Sequence, residues 1–452
     1  MKVKTLSLPL LAILAAIPQV RISAAETTTG KPNILYILAD DMGYADAGFN
    51  GGKEIKTPNL DGLAEGGAVL KSYYVQPVCS PTRSTLLTGR YPSRTGVYTV
   101  VRPHAPWGPK LDEQFLSQAL QSAGYQTAIS GKWHLGEFEA AYRPTQRGFD
   151  HQYGLWFGAI DYFTHQRDGV LDWHRDDQPS ADEGYSTHLI AKEACRLIRE
   201  RNPDKPLFLY LPFNAVHGPH QVPESYTAPY GHLKGVRRTY AGMLAAMDEG
   251  IGQVIAELDK AGIRDNTLII FSSDNGGPEP GRVTSNGSLR AGKGTIYEGG
   301  IRVCAFATWP GRIPAGKVID EPLHAVDWYP TLVKLAGAKI EQKQPLDGLD
   351  IWPVLTEGAK SPHDFLFLSG TTRGQAAIRM GEWKLLVGAG EKKKNGAAGK
   401  DQLYHLSQDI GETKDLADEN PEKTKELRAK YDEMMKTAVS PGGGDAGGKG
   451  QD

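Results

Sequence analysis

Three cysteines in 452 residues, Cys79, Cys195 and Cys304, leave nothing from which to build a disulfide framework. A surplus of one charge is lacking too: Lys and Arg total 51, Asp and Glu 53, for a formal net charge of −2. That balance argues against nucleic acid or an anionic membrane surface as the main partner. Beyond residue 25 no unbroken apolar run reaches the ~20 residues that a membrane-spanning helix needs, so no stable membrane insertion is expected. Internal repeats are absent from the sequence. Cys195 falls in a helical pattern and Cys304 in an apolar strand, and both read as small buried hydrophobes. Nothing in the sequence supports a bridge between them.

What is present begins with a leader. Lys2 and Lys4, the apolar stretch Leu6 to Ile17 and the small residues Ser23-Ala24-Ala25 have the order of a secretory signal over residues 1–25. The alternative, a membrane anchor, needs a longer apolar stretch. The expected product is secreted or periplasmic. Its leader takes Lys2, Lys4 and Arg21 with it, leaving 48 of the 51 basic residues against 53 acidic ones.

Through the first two thirds of the chain, apolar runs of strand length alternate with amphipathic helical stretches. Asn33–Ala39, Thr127–Ser130, Leu207–Phe213, Thr267–Ser273 and Val303–Thr308 are nearly unbroken apolar runs, as in strands covered on both faces. Helices are expected at Leu111–Ala123 and at Arg237–Ala261, the second closing at Gly262. The alternation predicts an α/β fold, a large, mostly parallel sheet sandwiched by helices. After Pro345 the character changes: Phe365–Leu368, Gln375–Met380, Trp383–Val387 and Leu403–Leu406 read as short meander strands, followed by a charged helix from Pro421 to about Thr437. The predicted organisation is therefore a leader (1–25), a catalytic domain (26–345), a smaller C-terminal α+β subdomain on a short antiparallel sheet (346–439) and a disordered Gly-rich tail (440–452). Glu391–Lys400 reads as a Lys- and Gly-rich surface loop.

In sheets of this kind ligands gather beyond the carboxyl ends of the strands, and polar residues cluster there. Asp40 and Asp41 follow the first apolar run directly; two adjacent carboxylates repel, and a divalent cation with oxygen ligands relieves the repulsion. Asp274-Asn275 repeats the pattern after another run. Against a solvated strand end, two such pairs favour a metal, and all-oxygen donors select calcium or magnesium over zinc. Lys132 and His134 follow Thr127–Ser130, and His217 follows Leu207–Phe213. Lys293 lies in the Gly-rich stretch Arg290–Gly300, which can bring backbone and ammonium close to an anion. Taken singly, each of these reads as an ordinary surface or structural residue; the ensemble is what informs.

The most specific stretch is Cys79-Ser-Pro-Thr-Arg83-Ser-Thr-Leu-Leu-Thr-Gly-Arg90. Ser80 is a good N-cap and Pro81 suits the first helical position, which places Cys79 just before a helix N-terminus that favours negative charge. Arg83 falls on the first turn. Nucleophile, cation and anion-binding helix end converge. Three other motifs fail on inspection. Gly287–Lys293 resembles a P-loop, but Gly294 replaces the required Ser or Thr and no strand immediately precedes it. Cys79 and Arg83 lack tyrosine-phosphatase spacing, and no papain-like His and Asn context is evident. Asn286-Gly-Ser288 is a glycosylation acceptor only where exported proteins are glycosylated.

With these residues in place the chain resembles the type I, formylglycine-dependent sulfatases of the alkaline-phosphatase superfamily. The match spans most of the mature chain and rests first on the Cys-x-Pro-x-Arg motif at Cys79–Arg83, then on Asn33–Asp41, Gly131–Gly136, Ser273–Gly277 and Gly292–Arg302 in family order. Gly148–Asp150, Asp161–His165, Val216–Pro223 and Tyr240–Met243 are similar to arylsulfatase B-like N-acetylgalactosamine-4-sulfatases. The resemblance implies that a formylglycine-generating maturation enzyme oxidises Cys79 to an aldehyde whose hydrate attacks sulfur. It implies Asp40, Asp41, Asp274 and Asn275 as ligands of one Ca²⁺, with position 79 completing the set. It implies that Arg83 holds the hydrate, Lys132 and Lys293 grip sulfate oxygens, His217 with Lys293 assists the leaving alcohol, and His134 acts on the hydrate as sulfate departs. Trp156, Asp161, Tyr162, His165 and His220 fall where such enzymes shape the sugar pocket. The small cysteine count departs from the lysosomal enzymes and implies a bacterial one.

The expected function is hydrolysis of a sulfate ester on a carbohydrate, a 4-O-sulfated galactose or N-acetylgalactosamine unit first. The rival readings are a phosphonate monoester or phosphodiester hydrolase on the same scaffold, an arylsulfatase of small aromatic esters, and a non-catalytic binder of sulfated glycan.

Overall fold

Alternate residues of the apolar strands face opposite ways, and the computed structural model puts a helical layer on each side of them. It describes residues 1–3, 30–388 and 399–442. The leader from residue 4, most of the Lys- and Gly-rich loop and the tail from residue 443 lie outside the described residues. The described residues from Lys31 onward form one compact unit.

At its centre is a ten-stranded sheet. Five adjacent strands, Thr267–Ser273, Asn33–Ala39, Leu207–Pro212, Gln126–Ser130 and His151–Gly154, run parallel in that spatial order. Antiparallel pairings extend it on both sides, Ala305–Thr308 and Ala68–Leu70 beyond the first and His174–Arg175 and Gln178–Pro179 beyond the last, and Lys317–Ile319 completes one edge parallel to Ala68–Leu70. Leu35, Ile37 and Ala39, with Leu209, Leu211, Ile269 and Phe271, pack against the helices Pro58–Glu65, Ser186–Arg199 and Gly235–Lys260. Ile34, Tyr36 and Leu38, with Phe208, Tyr210, Leu268 and Ile270, pack against Cys79–Thr88, Leu116–Ser122 and Trp328–Leu335. A period of two along every central strand therefore makes two cores, which is why these strands read as continuous apolar runs.

A second, antiparallel sheet follows, in the order Leu366–Ser369, Ala376–Met380, Trp383–Val387, Gln402–His405. One face packs on the helix Pro421–Met435 through Phe367, Ile378, Leu385, Leu427 and Tyr431. The other meets Tyr74, Ile296 and Ile301 of the larger layer through Leu366, Leu368 and Leu386.

The apolar run expected at Val303–Thr308 is two strands: Arg302–Val303 pairs with Tyr73–Tyr74, and Ala305–Thr308 joins the large sheet. The chain changes sheets at the buried Cys304. Cys195 is partly buried, and all three cysteines are free. The helix expected from Leu111 starts only at Leu116. Among the described residues no helix is long and apolar enough to cross a membrane.

Candidate active site

Four parallel strands deliver the site from their carboxyl ends. Asp40 and Asp41 leave Asn33–Ala39, Asp274 and Asn275 leave Thr267–Ser273, Lys132 and His134 leave Gln126–Ser130, and His217 follows Leu207–Pro212. Gly131 makes the turn into Lys132: it takes φ +134°, and a Cβ there would lie 1.9 Å from the Pro212 carbonyl oxygen. Helix Cys79–Thr88, wholly buried, crosses beneath.

That helix starts earlier than its sequence promised. Val78, in extended conformation, is the N-cap, and Cys79 is the first helical residue. Pro81 falls at the third position, where its missing N–H is still one of the helix's unpaired donors. Ser80 does not cap; its Oγ accepts from the Val101 N–H at 3.0 Å. Cys79 and Arg83, four residues apart, share one helix face.

Around Cys79 Sγ, 3.7 Å from Asp40 Oδ1, the charges interlock. Lys132 Nζ lies 2.5 Å from Asp40 Oδ2, with both side chains fully buried. Arg83 donates from Nη2 and Nε to Asp274 Oδ2 at 3.0 and 3.3 Å and from Nη1 to the Lys132 carbonyl at 2.7 Å. Lys293 Nζ lies 3.0 Å from Asp41 Oδ2 and 3.1 Å from His217 Nε2, while His217 Nδ1 lies 2.6 Å from the Gly218 carbonyl oxygen. Asn275 donates to Asp41 Oδ1 at 2.8 Å. Nine of the ten residues named for catalysis or metal from the sequence thus interlock, and the tenth, His134, lines the same cleft.

His134 occupies the left-handed region at φ +61°. Its imidazole fits because position 158 is glycine, where a Cβ would lie 2.6 Å from the ring. Its buried Nδ1 has no hydrogen-bond partner.

Burial sets the electrostatics. It pushes the Cys79 thiol well above its usual pKa, more than Lys132 and Lys293 counteract, so the thiol as translated is a protonated, weak nucleophile. Burial, then Lys293, bring His217 down to about 3 against the pull of Asp41. Burial and the Lys132 charge hold His134 well below its ordinary value. Burial opposes ionisation of Asp41, but Lys293 and His217 outweigh it and hold the carboxyl low.

Can this cluster hold a cation? Ligand atoms of Asp40, Asp41, Cys79 and His217 all lie within 4.8 Å of one another. Asn275 Oδ1, buried beside them, has no hydrogen-bond partner. Three carboxylates and three cations leave the cluster formally neutral, so a divalent ion would turn it into a positive receptor for an anion. Hard oxygen donors fit such an ion.

The cluster opens into a cleft of about 750 Å³ whose walls include Ile160, Asp161, Arg167, His220 and Glu279. Of the five residues expected to shape a sugar pocket, Asp161 and His220 line it. Trp156 instead stacks on His174 at 3.6 Å, His165 stacks on Trp173 at 4.5 Å, and Tyr162 is buried with its hydroxyl donating to the Asn214 and His217 carbonyls. Sequence reasoning missed Arg167. It sits on the hairpin Gln166–Arg167/Val170–Leu171, whose Asp168-Gly169 turn, with φ of 52° and 80°, is a readable hairpin signal.

A mixed, mostly parallel sheet between helices, with carboxylates, lysines and histidines gathered at its strand ends, is the architecture of the alkaline-phosphatase-like enzymes. Residues 32–338 match the Sulfatase family model. Mouse (Mus musculus) arylsulfatase J is 41% identical over 397 residues, 81% of this chain and 66% of that protein, so the chain spans slightly less than two thirds of that relative. Mouse N-acetylgalactosamine-6-sulfatase is 34% identical over 78% of this chain and 71% of its own length. The crystal structure of Ps i-CgsB with a k-i-k-neocarrahexaose superposes with a TM-score of 0.84 at 35% identity, covering 91% of this chain and 94% of that one. The chain belongs to the sulfatase family, the sulfuric ester hydrolases.

Proposed function

We propose that this chain is an exported, calcium-dependent sulfatase that removes a sulfate ester from a carbohydrate, with 4-O-sulfated galactose or N-acetylgalactosamine as the first substrates to test. The observation that carries the reading is the convergence of Arg83, Lys132 and Lys293 on a buried Cys79 whose thiol is held protonated, at the floor of an open cleft. Relatives at 34–41% identity named as sulfatases favour it over a phosphodiester hydrolase. A complete set of charged residues favours it over a non-catalytic binder.

When present, a hydrated formylglycine at position 79 beside a calcium ion held by Asp40, Asp41, Asp274 and Asn275 supplies the attacking hydroxyl and a Lewis-acid field. Lys132 and Lys293 fix sulfate oxygens and offset charge that builds on them in the transition state. His217 is neutral and accepts from Lys293, so the proton for the leaving alkoxide is held at Lys293 Nζ and relayed across this pair. Arg83 keeps position 79 and Asp274 in register. His134, its buried Nδ1 unpartnered, would accept a proton from the group at position 79 as sulfate departs. No water has to attack hindered sulfur.

The test is sulfate release by the matured protein from a panel of defined sulfated saccharides, with an aryl sulfate and an aryl phosphodiester in parallel. Loss of 4-O-sulfate from galactosaminides supports the substrate; exclusive 6-O or glucosamine activity removes it, and preference for the phosphodiester removes the sulfatase reading. An unmodified Cys79 peptide in native, active material would overturn the formylglycine assignment.

A further inference from the structure

We propose that Lys384, Glu298 and Glu412 form a buried clamp by which the C-terminal sheet positions Lys293, making Lys384 and Glu412 positioning residues for catalysis. What Lys293 does rests on the sulfatase reading above; how it is held rests on geometry alone.

Lys293 sits in a closed loop. The Gly299 N–H donates to the Arg290 carbonyl at 2.8 Å, so the two ends of 290–299 meet. On the site side the loop's backbone is tied from Gly294 N–H to the Pro77 carbonyl at 2.8 Å, from Lys293 N–H to the Gly277 carbonyl at 3.4 Å and from Asn286 Nδ2 to the Ala291 carbonyl at 2.9 Å. On the far side its ends are fastened to the second sheet and the turn after it. Lys384 Nζ bridges Glu298 and Glu412 at 2.9 and 2.8 Å, with all three side chains fully buried. Glu412 also accepts the Glu298 N–H at 2.7 Å, and its carbonyl accepts from Arg290 Nη1 at 2.5 Å. Arg290 lies over the Tyr297 ring at 4.0 Å, and the Tyr297 hydroxyl donates to Gln402 at 2.9 Å. Tyr74 donates to the second oxygen of Glu298 at 2.7 Å.

Burying these charges, with the Arg302 guanidinium also 3.3 Å from Glu298, incurs a desolvation cost that apolar packing would avoid, so such a cluster is a poor device for stability alone. It is a good device for direction: charge-assisted bonds fix both ends of the loop to a rigid sheet. A displacement of about 1 Å at a catalytic group can cost on the order of 100-fold in rate. Lys384, Gln402 and Glu412 lie beyond the 32–338 match to the family model, so this chain supplies the clamp from a region the model does not describe.

A double-mutant cycle tests the coupling. Lys293→Ala and Lys384→Met, singly and combined, are assayed on the matured, calcium-loaded full chain with 4-nitrophenyl sulfate. Lys293→Ala should lower kcat/KM about 100-fold, and Lys384→Met about tenfold. In the Lys293→Ala background Lys384→Met should then cost less than about twofold, because residues acting through one another are not additive. The same tenfold loss in both backgrounds overturns the clamp as a positioning device. Wild-type kcat/KM in Lys293→Ala overturns the role of Lys293 itself and is read separately. Should Lys384→Met not fold, the near-isosteric Glu412→Gln carries the same cycle with the same two outcomes.

Discussion

Lys132 Nζ and Asp40 Oδ2 stand 2.5 Å apart, and neither side chain touches solvent. Deleting Lys132 would leave Asp40 with the more distant Arg83 guanidinium, at 3.6 Å, in place of its short partner. Lys132→Met should therefore destabilise the fold by about 3 kcal/mol, the low end of what breaking a buried ion pair costs, and lower kcat/KM at least about 100-fold. Urea denaturation and initial rates measure the two. A variant of unchanged stability would mean that Asp40 is neutralised some other way.

On the formylglycine reading, Cys79→Ser keeps a hydroxyl but removes the second oxygen of the proposed geminal diol. A single burst of no more than one product per site should follow, then arrest, because the sulfated serine has no adjacent hydroxyl to expel it. Rapid-quench kinetics separate burst from steady state. Sustained turnover by this variant would refute the diol mechanism.

Chelation should abolish activity reversibly, and calcium should raise the melting temperature of the chelated protein in proportion to the logarithm of its concentration. At about 100 times Kd the expected gain is about 2.7 kcal/mol. Asn275→Leu, which removes the unpartnered Oδ1, should weaken that calcium-dependent shift at least about tenfold in apparent Kd. Equal shifts in both proteins would take Asn275 out of the ligand set.

Gly158→Ala tests the fit of His134. The added methyl would fall 2.6 Å from the ring, so the imidazole must move. A fall in kcat of about tenfold with little change in KM is expected. Crystals of the variant with an undisturbed His134 and full activity would contradict it.

Away from the site, His363 Nε2 lies 2.7 Å from Asp327 Oδ1. Burial disfavours the charged ring, but the Asp327 carboxylate outweighs it and raises the pKa above the ordinary 6.5. A raised histidine pKa gives stability that is complete below the unfolded value of about 6.5 and declines as pH climbs through the folded one. The melting temperature should fall above pH 6.5 in the wild type and fall less in His363→Gln. Parallel curves would show that this pair does not titrate in that window.

Much of this architecture was legible because it is local. Asn33–Ala39 and Thr267–Ser273 are strands with the expected bounds, and each of their carboxyl ends carries the expected acids. What escaped depends on partners distant in sequence. The run at Val303–Thr308 is uniformly apolar, so nothing in it marks the change of sheet at Cys304. Trp156, Tyr162 and His165 have pocket-like chemistry, yet their neighbours Trp173 and His174 and the Asn214 carbonyl turn them inward. Nothing local to the strand Trp383–Val387 marks Lys384 as internal; only the return of Glu298 and Glu412 from elsewhere in the chain encloses it.

One consequence concerns timing. Every residue of helix Cys79–Thr88 is enclosed, and Cys79 itself is 1% exposed. On the formylglycine reading, an oxidising enzyme has to reach that sulfur while the ribosome's product is still an open strand. Once the two cores close, protein made without the aldehyde should be beyond repair, and adding the maturation enzyme to it afterwards should restore nothing.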